Sequence, residues 1–431
     1  MIERYTTKEF KDFWTEEYKY KKWLEVELAV LDAYVKLGKI PSNVVTPIKK
    51  KAKINIQRIN ELELITQHDL IAFLESLKES VGPDAKWIHM GLTSYDIEDT
   101  ALALLLKESG EIILKELESL LDVIKKRAKE EKYTLIAGRT HGIQAEPISV
   151  GLKFLVWYDE ALRNKRRLLS AIETISYGKI SGACGNYPHI TPELERLVCK
   201  NLDLKPAPIS TQIIQRDNHA EFILALAMIA TSCEKTAQEI RHLQRTEIHE
   251  LEEPFGSGQK GSSAMPHKKN PVICERICGL ARVIRSNSMA AMQNIPLWGE
   301  RDISNSSSER IIIPDSIMLT HYMLRKTKDV IAGLKIINKN LEKNLELTRG
   351  QIFSGRILKE FLAKGIERET AYKIVQSSAF RAEAENKHLR DILLEDKLVK
   401  KTFSAKAVTD FFNPKYYLRW VDYIFDAVLK Q

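Results

Sequence analysis

The segment from Gly261 to Pro271 carries the richest set of reactive side chains in the sequence. It combines two serine hydroxyls, a histidine, two adjacent lysines and a final Asn-Pro pair. Glycines at 256, 258 and 261 predict that residues 252–271 form a mobile loop. Loops that hold nucleophiles, cations and hinge residues together are frequent sites of catalysis. We therefore interpret residues 252–271 as a candidate catalytic loop, with a solvated linker between two helices as the alternative.

Two polar clusters precede this loop in the first quarter of the chain. In Gln67-His68-Asp69, the aspartate can orient the histidine or cap the following helix, and residue types leave both interpretations open. The segment from His89 to Ser94 places Thr93 and Ser94 at a predicted helix start. Hydroxyls and free N–H groups there suit an anion, although a simple N-cap is the favoured interpretation on this evidence alone.

Two further clusters lie on either side of the loop in the sequence. Gly138 to Pro147 sets His141 between small residues and an arginine, and we expect Pro147 to begin a helix. His141 can be interpreted equally well as a catalytic histidine or as a buried structural histidine. In the segment from Arg301 to Arg310, two arginines bracket hydroxyls and an amide. This pattern suits a phosphate or carboxylate, and a polar turn between helices is equally open.

Two familiar motifs are incomplete in this chain. The glycines from Gly256 to Gly261 match G-x-G-x-x-G, but Glu252-Glu253-Pro254-Phe255 precedes them, whereas a dinucleotide site requires a hydrophobic strand. His242 and His249 could share a helix face, but no carboxylate shell accompanies them. The five cysteines include no Cys-x-x-Cys pair, so reduced thiols are expected. We predict neither a cofactor nor a metal.

Composition limits the class of protein. The formal net charge of +8 comes from lysines spread along the chain, so binding to nucleic acid is a weak interpretation. Attraction of anionic substrates and a lysine-rich genome composition fit the charge equally well. Apolar runs such as 223–230 are too short to span a bilayer, and the N-terminus lacks an apolar signal segment. We therefore expect a soluble cytoplasmic protein that binds neither nucleic acid nor membrane.

Helical periodicity dominates the elements that must position these residues. Strand signals are nearly absent, so the sequence predicts an all-α fold. Thr93 and Asp96 resemble a capping box at the start of a long helix. Further long helices carry apolar stripes along residues 223–240 and 273–291, and another is expected to begin near Pro314. Apolar residues off the main stripe predict oligomerisation through the helix bundle.

The expected organisation has three parts. Residues 1–92 form an N-terminal helical domain, residues 93–345 a central long-helix bundle that includes the loop 252–271, and residues 346–431 a C-terminal helical domain. With 431 residues, more than one domain is expected. The predicted architecture is thus an elongated central bundle flanked by two smaller helical domains.

Residues 261–271 resemble the signature loop of the fumarase/aspartase superfamily, whose lyases release fumarate by β-elimination. Three other segments resemble family motifs in the same chain order: Thr93 to Asp96, Gly138 to His141, and Trp298 to Asp302. His267 after Met-Pro, Gln67-His68-Asp69 and Arg4-Tyr5 are similar to the adenylosuccinate lyase family. The resemblance covers nearly the whole chain. It implies a carbon–nitrogen lyase of purine nucleotide biosynthesis, acting on small nucleotide substrates without a cofactor.

The same resemblance implies the roles of individual residues. Ser262 would be the base, with Ser263 as its rival, and His141 the acid that protonates the leaving nitrogen in an anti elimination. His68 would support His141, Lys268 would hold a carboxylate and help to activate Ser262, and Glu275 would orient Lys268 or His141. The positions expected to bind substrate are Arg4, Tyr5, Gln67, His68, Asp69, His89, Thr93, Ser94, Gln212, Asn270, Arg301, Ser306 and Arg310.

The resemblance further implies a homotetramer in which each active site is shared between subunits. Two alternatives stay open from the sequence. One is another lyase of the superfamily, such as an argininosuccinate lyase or a carboxymuconate cycloisomerase. The other is a structural protein that retains this fold, as lens crystallins do. The presence of Ser262, His141 and Lys268 favours an active enzyme.

Overall fold

A computed structural model describes residues 2–256 and 258–430 of the chain. Ser257 of the predicted loop and the terminal residues Met1 and Gln431 lie outside the described residues. The chain divides into two compact units. Unit 1 comprises residues 1–119, 162–234 and 277–326, and unit 2 comprises residues 120–161, 235–276 and 327–431. The predicted division into three consecutive domains stays a prediction.

Helices dominate the described residues, which confirms the all-α fold class. They are α1 (Glu16–Lys36), α2 (Ser42–Lys51), α3 (Ile56–Thr66), α4 (Asp69–Val81), α5 (Ser94–Glu130), α6 (Val150–Ile175), α7 (Pro192–Asn201), α8 (Arg216–Leu243), α9 (Val272–Gln293), α10 (Ser304–Gly333), α11 (Asn338–Leu345), α12 (Ser354–Ala363), α13 (Arg368–Ala384), α14 (Leu389–Leu393), α15 (Lys397–Thr402), α16 (Ala405–Asp410) and α17 (Val421–Leu429). Short 3₁₀ turns occur at Glu3–Tyr5, Lys8–Phe10, Pro83–Trp87, Gln351–Phe353 and Pro414–Leu418.

The long helices α5, α6, α8, α9 and α10 each contain residues of both units. One half of the capping box predicted for α5 is present, because the Thr93 backbone N–H donates to the Asp96 carboxylate at 2.9 Å. The apolar stripe predicted for residues 223–240 lies on α8, and its members Ile223, Leu226, Ala230, Cys233, Ala237 and Ile240 are at most 3% exposed. Helical periodicity therefore identified the buried face of α8 correctly.

The expected helix start near Pro314 is wrong. Helix α10 begins ten residues earlier, at Ser304, and Pro314 lies inside it. Proline in a helix interior removes one backbone hydrogen bond and costs about 3 kcal/mol. Ile312, Ile313 and Ile317 are buried around it, and burying each such side chain contributes about 1.5–3 kcal/mol. Tertiary burial therefore outweighs the local cost of the proline.

A β-hairpin, which the sequence did not predict, holds His141. Strands β1 (Leu135–Thr140) and β2 (Ile143–Ser149) pair antiparallel across a two-residue turn. The prediction that Pro147 begins a helix is wrong, because Pro147 lies in β2 opposite Ala137, next to a register shift. A proline has no N–H to donate, and such irregular positions tolerate it. Four further strands of two residues each form two pairs. Strand β3 (Tyr177–Gly178) pairs with β4 (Lys205–Pro206), and β5 (Leu251–Glu252) pairs with β6 (Lys335–Ile336).

Each unit has an apolar core. In unit 1, the rings of Tyr20, Trp23 and Phe73 pack together between α1 and α4. In unit 2, Phe361, Phe403 and other buried residues join helices α12 to α16. Across residues 2–256 and 258–430, no helix has the length and apolar character needed to cross a membrane.

Candidate active site

The predicted site residues fall into two groups, one in each unit. Unit 1 holds Arg4, Tyr5, Gln67, His68, Asp69, His89, Thr93, Ser94, Gln212, Arg301, Ser306 and Arg310, and unit 2 holds His141, Ser262, Lys268, Asn270 and Glu275. In unit 1, the structure brings several of these residues into contact with one another.

In unit 1, four predicted residues form a chain of polar contacts. Ser94 Oγ lies 3.4 Å from His68 Nε2, and His68 Nδ1 lies 3.7 Å from Asp69 Oδ1. Arg310 Nη2 donates to Asp69 Oδ2 at 2.7 Å. Ser94 is the first residue of α5, where free backbone N–H groups favour an anion. The chain therefore joins a hydroxyl, an imidazole and a guanidinium, three groups that can bind an anionic ligand.

Asp69 is the buried centre of this chain. It accepts from the Leu70 backbone N–H at 2.9 Å, in the first turn of α4. Burial raises the pKa of the Asp69 carboxyl, but Arg310 and Lys19 outweigh burial and leave that pKa below its ordinary value. Asp69 is therefore ionised and holds Arg310, in addition to lying beside His68.

His89 is fixed by a residue that the sequence did not single out. Glu27 on α1 is 1% exposed and accepts from the His89 backbone N–H at 3.0 Å, while its other oxygen lies 2.7 Å from His89 Nδ1. Glu27 therefore holds both the backbone and the Nδ1 side of the His89 ring, and Nε2 lies on the opposite side of the ring. His89 also has a φ of 59°, and such unfavourable backbone conformations concentrate at functional sites.

Arg301 and Gln212, which were both expected to bind substrate, are hydrogen-bonded to each other. Arg301 Nη1 donates to Gln212 Oε1 at 3.0 Å, and the guanidinium lies 3.6 Å from the centre of the Tyr95 ring. Within the described residues, the buried Nε and Nη2 atoms of Arg301 have no hydrogen-bond partner. A buried donor left without a partner is costly, and a planar pair of N–H donors matches a carboxylate or phosphate. Arg301 is therefore arranged to bind an anion.

A cavity of about 230 Å³ in unit 1 adjoins these residues. Ser306 and Arg310 line it together with Tyr95, Lys19 and Glu98, and its remaining walls are largely aromatic and aliphatic. Burial, and then the negative charge of Asp69, raise the pKa of the Glu98 carboxyl to about 7. The charge on this wall of the cavity therefore changes near neutral pH.

The N-terminal residues Arg4 and Tyr5 lie on a 3₁₀ turn that is tied to α10. The Tyr5 ring packs edge-on against Tyr322, with ring centres 5.3 Å apart. A few residues later, Arg325 donates to both oxygens of Glu9 at 2.7 and 3.0 Å. The side chain of Arg4 itself is exposed and can reach a ligand in solution.

In unit 2, His141 occupies the first position of the hairpin turn. His141 and Gly142 both have positive φ, 55° and 79°, as a type I′ turn requires. Gly138 serves the hairpin too, since a Cβ there would lie 2.6 Å from the Glu146 carbonyl oxygen. The glycines flanking His141 thus serve the turn and the strand pair, and the exposed imidazole projects at its tip.

Ser262 lies in a local turn of the signature loop. Its Oγ accepts from the backbone N–H groups of Ala264 and Met265 at 3.3 and 3.1 Å. Ser263, the rival base, is exposed. Donors aimed at an oxygen stabilise negative charge on it, and the turn directs these two N–H groups at the Ser262 hydroxyl.

The C-terminal part of the loop is shaped by close backbone contact. A Cβ at Gly261 would lie 2.0 Å from the Lys268 carbonyl oxygen, and Asn270 Nδ2 donates to the Gly261 carbonyl at 2.8 Å. The Lys268 and Glu275 side chains are exposed. Among the described residues, no hydrogen bond joins Glu275 to Lys268 or to His141, and its orienting role stays a prediction.

Comparison with known proteins identifies the family. A family model described as "Lyase" matches residues 1–286, and a second, described as "Adenylosuccinate lyase C-terminus", matches residues 350–428. The chain is 47% identical over 431 residues to the adenylosuccinate lyase of Thermotoga maritima, covering 100% of both chains. The chain belongs to the adenylosuccinate lyase family. It is also 49% identical over 431 residues to the family member from Aquifex aeolicus, with 99% of each chain covered.

Solved structures of less similar proteins share the fold. A fumarate lyase from a Mesorhizobium species superposes with a TM-score of 0.92 at 24% identity, covering 100% of this chain and 99% of the other. A β-carboxy-cis,cis-muconate cycloisomerase from Acinetobacter calcoaceticus gives a TM-score of 0.90 at 24% identity, covering 99% and 98%. The adenylosuccinate lyase family thus shares one helical architecture with lyases and cycloisomerases.

Sequence reasoning missed two residues of this site. Glu27 and Tyr95 hold His89 and Arg301, respectively. Glu27 has no local signal, because it lies 62 residues from its partner. Tyr95 follows Ser94 directly in the segment from Thr93 to Asp96 that resembles a family motif. This position in the motif was the sequence signal that could have identified Tyr95.

Proposed function

We propose that the chain catalyses anti β-elimination of fumarate from adenylosuccinate, to give AMP. The same site would release fumarate from the succinyl-aminoimidazole-carboxamide ribotide of purine nucleotide biosynthesis. The observation that carries this proposal is identity of 47–49% over the full length of two adenylosuccinate lyases. The enzyme would work in the cytoplasm.

Proton removal is the first chemical problem in this reaction. The proton β to the C–N bond is weakly acidic, so the base must be strong and the carbanion must be stabilised. In the proposal, Ser262 removes this proton as an alkoxide. The two backbone N–H groups that donate to its Oγ support that role, because they lower the energy of negative charge on the oxygen. Lys268 adds a positive charge from the same loop.

Cleavage of the C–N bond is the second problem. His141 would protonate the leaving nitrogen, and His68 would support it. An imidazole suits this step because its ordinary pKa lies near neutrality. The exposed position of His141 at the tip of a two-residue turn supports the proposal, since an acid must reach the substrate from a defined direction.

The remaining residues would hold the two anionic ends of the substrate. Thr93, Ser94, Lys268 and Asn270 would bind the succinyl carboxylates. His68 and His89 would lie beside the phosphate, and Glu275 would orient Lys268 or His141. The residues proposed to bind the nucleotide are Arg4, Tyr5, Gln212, Arg301, Ser306 and Arg310, and Gln67 and Asp69 would also bind the substrate. The unsatisfied donors of Arg301 support an anion at that position.

The proposed assembly is a homotetramer with active sites shared between subunits. Helices α8 and α9 support it, because they carry exposed apolar side chains beyond their buried stripes. Leu224 and Met228 are 38% and 44% exposed on α8, and Val283 and Met289 are 43% and 57% exposed on α9. Such faces are typical of surfaces that another chain covers. Sedimentation of the purified protein at a monomer mass would contradict this assembly.

The activity is tested by fumarate release. Wild-type protein is assayed with adenylosuccinate and argininosuccinate, and we expect turnover of adenylosuccinate alone. Release from argininosuccinate alone would replace the proposed substrate, and no release from either would favour a structural protein. Ser262→Ala and Ser263→Ala form a matched pair in which only the first should abolish turnover. Full activity of His141→Ala would remove the proposed acid.

A further inference from the structure

Three glutamates between Glu250 and Glu253 each contact a different element that carries a proposed catalytic residue of unit 2. Glu250, Glu252 and Glu253 are 0%, 7% and 3% exposed. Burying a carboxylate is costly unless it is paired or hydrogen-bonded. The partners of each one therefore indicate what these residues do.

Glu250 holds the hairpin that carries His141. Its two oxygens accept from Arg139 Nη1 and Nη2 at 2.8 and 2.7 Å, and Oε1 also accepts from Asn344 Nδ2 at 2.9 Å. Arg139 lies on β1, two residues before His141. A bidentate pair fixes both the distance and the direction of the guanidinium. Glu250 therefore fixes the end of β1 from which the turn projects.

Glu253 holds the start of the helix that follows the loop. Its carboxylate accepts from the backbone N–H groups of Ile273 and Cys274 at 3.0 and 2.8 Å, in the first turn of α9. Negative charge is stabilised at a helix N-terminus. The Glu253 backbone N–H donates to Gln244 Oε1 at 2.8 Å, and Gln244 Nε2 donates to the Lys269 carbonyl at 3.1 Å. Through Gln244, the beginning of the loop 252–271 at Glu253 is therefore joined to its end at Lys269.

Glu252 holds the loop through its lysines. Oε1 accepts from Lys269 Nζ at 3.0 Å and from Lys335 Nζ at 3.2 Å. Burial raises the pKa of the Glu252 carboxyl, but the hydrogen bonds from Lys269 and Lys335 outweigh burial and leave that pKa below its ordinary value. Because Lys269 follows Lys268 directly, this ion pair restrains the backbone that presents the proposed carboxylate-binding lysine.

We propose that Glu250, Glu252 and Glu253 are positioning residues for the elimination. Glu250 places the acid His141, and Glu252 and Glu253 place the loop that bears Ser262 and Lys268. The inference rests on the proposed function for the identity of the acid and the base. None of the three glutamates acts on the substrate itself, and each works through the element that it holds.

The test separates the two sides of the reaction by a kinetic isotope effect. Glu250→Gln, Glu252→Gln and Glu253→Gln are assayed with adenylosuccinate carrying hydrogen or deuterium at the carbon that loses its proton. Misplacing a catalytic group by about 1 Å costs on the order of 100-fold in rate, so we expect kcat to fall about 10- to 100-fold in each variant. Circular dichroism and melting curves establish that each variant is folded.

The isotope effect identifies the step that each glutamate serves. In Glu250→Gln, slow C–N cleavage should lower the deuterium effect on kcat/KM towards unity. In Glu252→Gln and Glu253→Gln, slow proton removal should keep that effect at or above the wild-type value. Asp410→Asn is the matched control, since it removes a carboxylate paired at 2.7 Å with the buried Arg356 in the same unit. The control should retain kcat within about twofold and the wild-type isotope effect.

Two results would overturn the proposal: kcat within twofold of wild type in the folded variants, or a lower kcat with an isotope effect unchanged in all three. If Glu250→Gln fails to fold, Arg139→Lys retains the charges and removes the bidentate geometry. If Glu252→Gln fails, Lys269→Gln breaks the same pair from its more exposed side. Fumarate release from a different substrate would refute the proposed function alone, since the same measurements on that substrate still test the positioning.

Discussion

Replacing Gly142 by alanine changes the backbone preference of the turn that presents His141, with little effect on packing. Gly142 has a φ of 79°, and a Cβ added there meets no atom within 4 Å. An L-residue other than glycine loses roughly 1–2 kcal/mol in this left-handed conformation. The substitution therefore introduces backbone strain without a steric clash.

This strain sets the expected loss of activity. An energy of about 1–2 kcal/mol corresponds to a factor of about 5–30 in an equilibrium constant. If the strained turn opens, the fraction of molecules with His141 correctly placed falls by that factor, and kcat falls with it. KM should change little, because the proposed acid acts on the leaving nitrogen in the transition state. Global stability should fall by no more than the strain itself.

The assay is steady-state fumarate release, with Gly142→Asn as the matched control. Asparagine adds a larger side chain but tolerates the left-handed region, so its kcat should stay within about threefold of wild type. Equal losses in the two variants would show that side-chain size, and not φ, is responsible. Wild-type kcat in Gly142→Ala would refute the link between the turn geometry and the acid.

Three further perturbations have defined outcomes. The folded pKa of Glu98, about 7, lies above its ordinary value of 4.5, so wild-type stability falls as pH rises between these values and stays low above pH 7. Glu98→Gln removes this loss. In urea unfolding, the free energy of unfolding of the variant minus that of wild type should be about 2 kcal/mol larger at pH 8 than at pH 5. A difference that does not change with pH would contradict the assigned pKa. The buried Lys179 Nζ lies 2.5 Å from Asp96 Oδ1, and Asp96→Asn removes the charge of this partner. The substitution should lower the free energy of unfolding by about 3–5 kcal/mol in the same assay. Arg310→Gln should raise KM for adenylosuccinate about tenfold with kcat nearly unchanged, because a ground-state contact is lost, whereas a fall in kcat alone would exclude a binding role.

The sequence by itself determined the helical fold and the outline of the candidate site. Apolar residues spaced three and four apart predicted the buried face of α8, because helix neighbours at that spacing share one side. The bond between Thr93 and Asp96 could also be predicted from the sequence, because the two residues are only three positions apart. The reactive groups of residues 261–271 were equally visible, because each is a property of a residue type and its immediate neighbours.

Only the tertiary structure decided how these groups are held. Glu27 reaches His89 across 62 residues, and Asp69 reaches Arg310 across 241, distances at which no local pattern pairs two side chains. The hairpin at His141 was not predicted because its turn has His-Gly in place of the usual Asn-Gly. In addition, Pro147 was interpreted as the first residue of a helix, although it lies in β2. Backbone preferences are local and can be read along the chain, whereas burial and long-range pairing are set by which elements pack together.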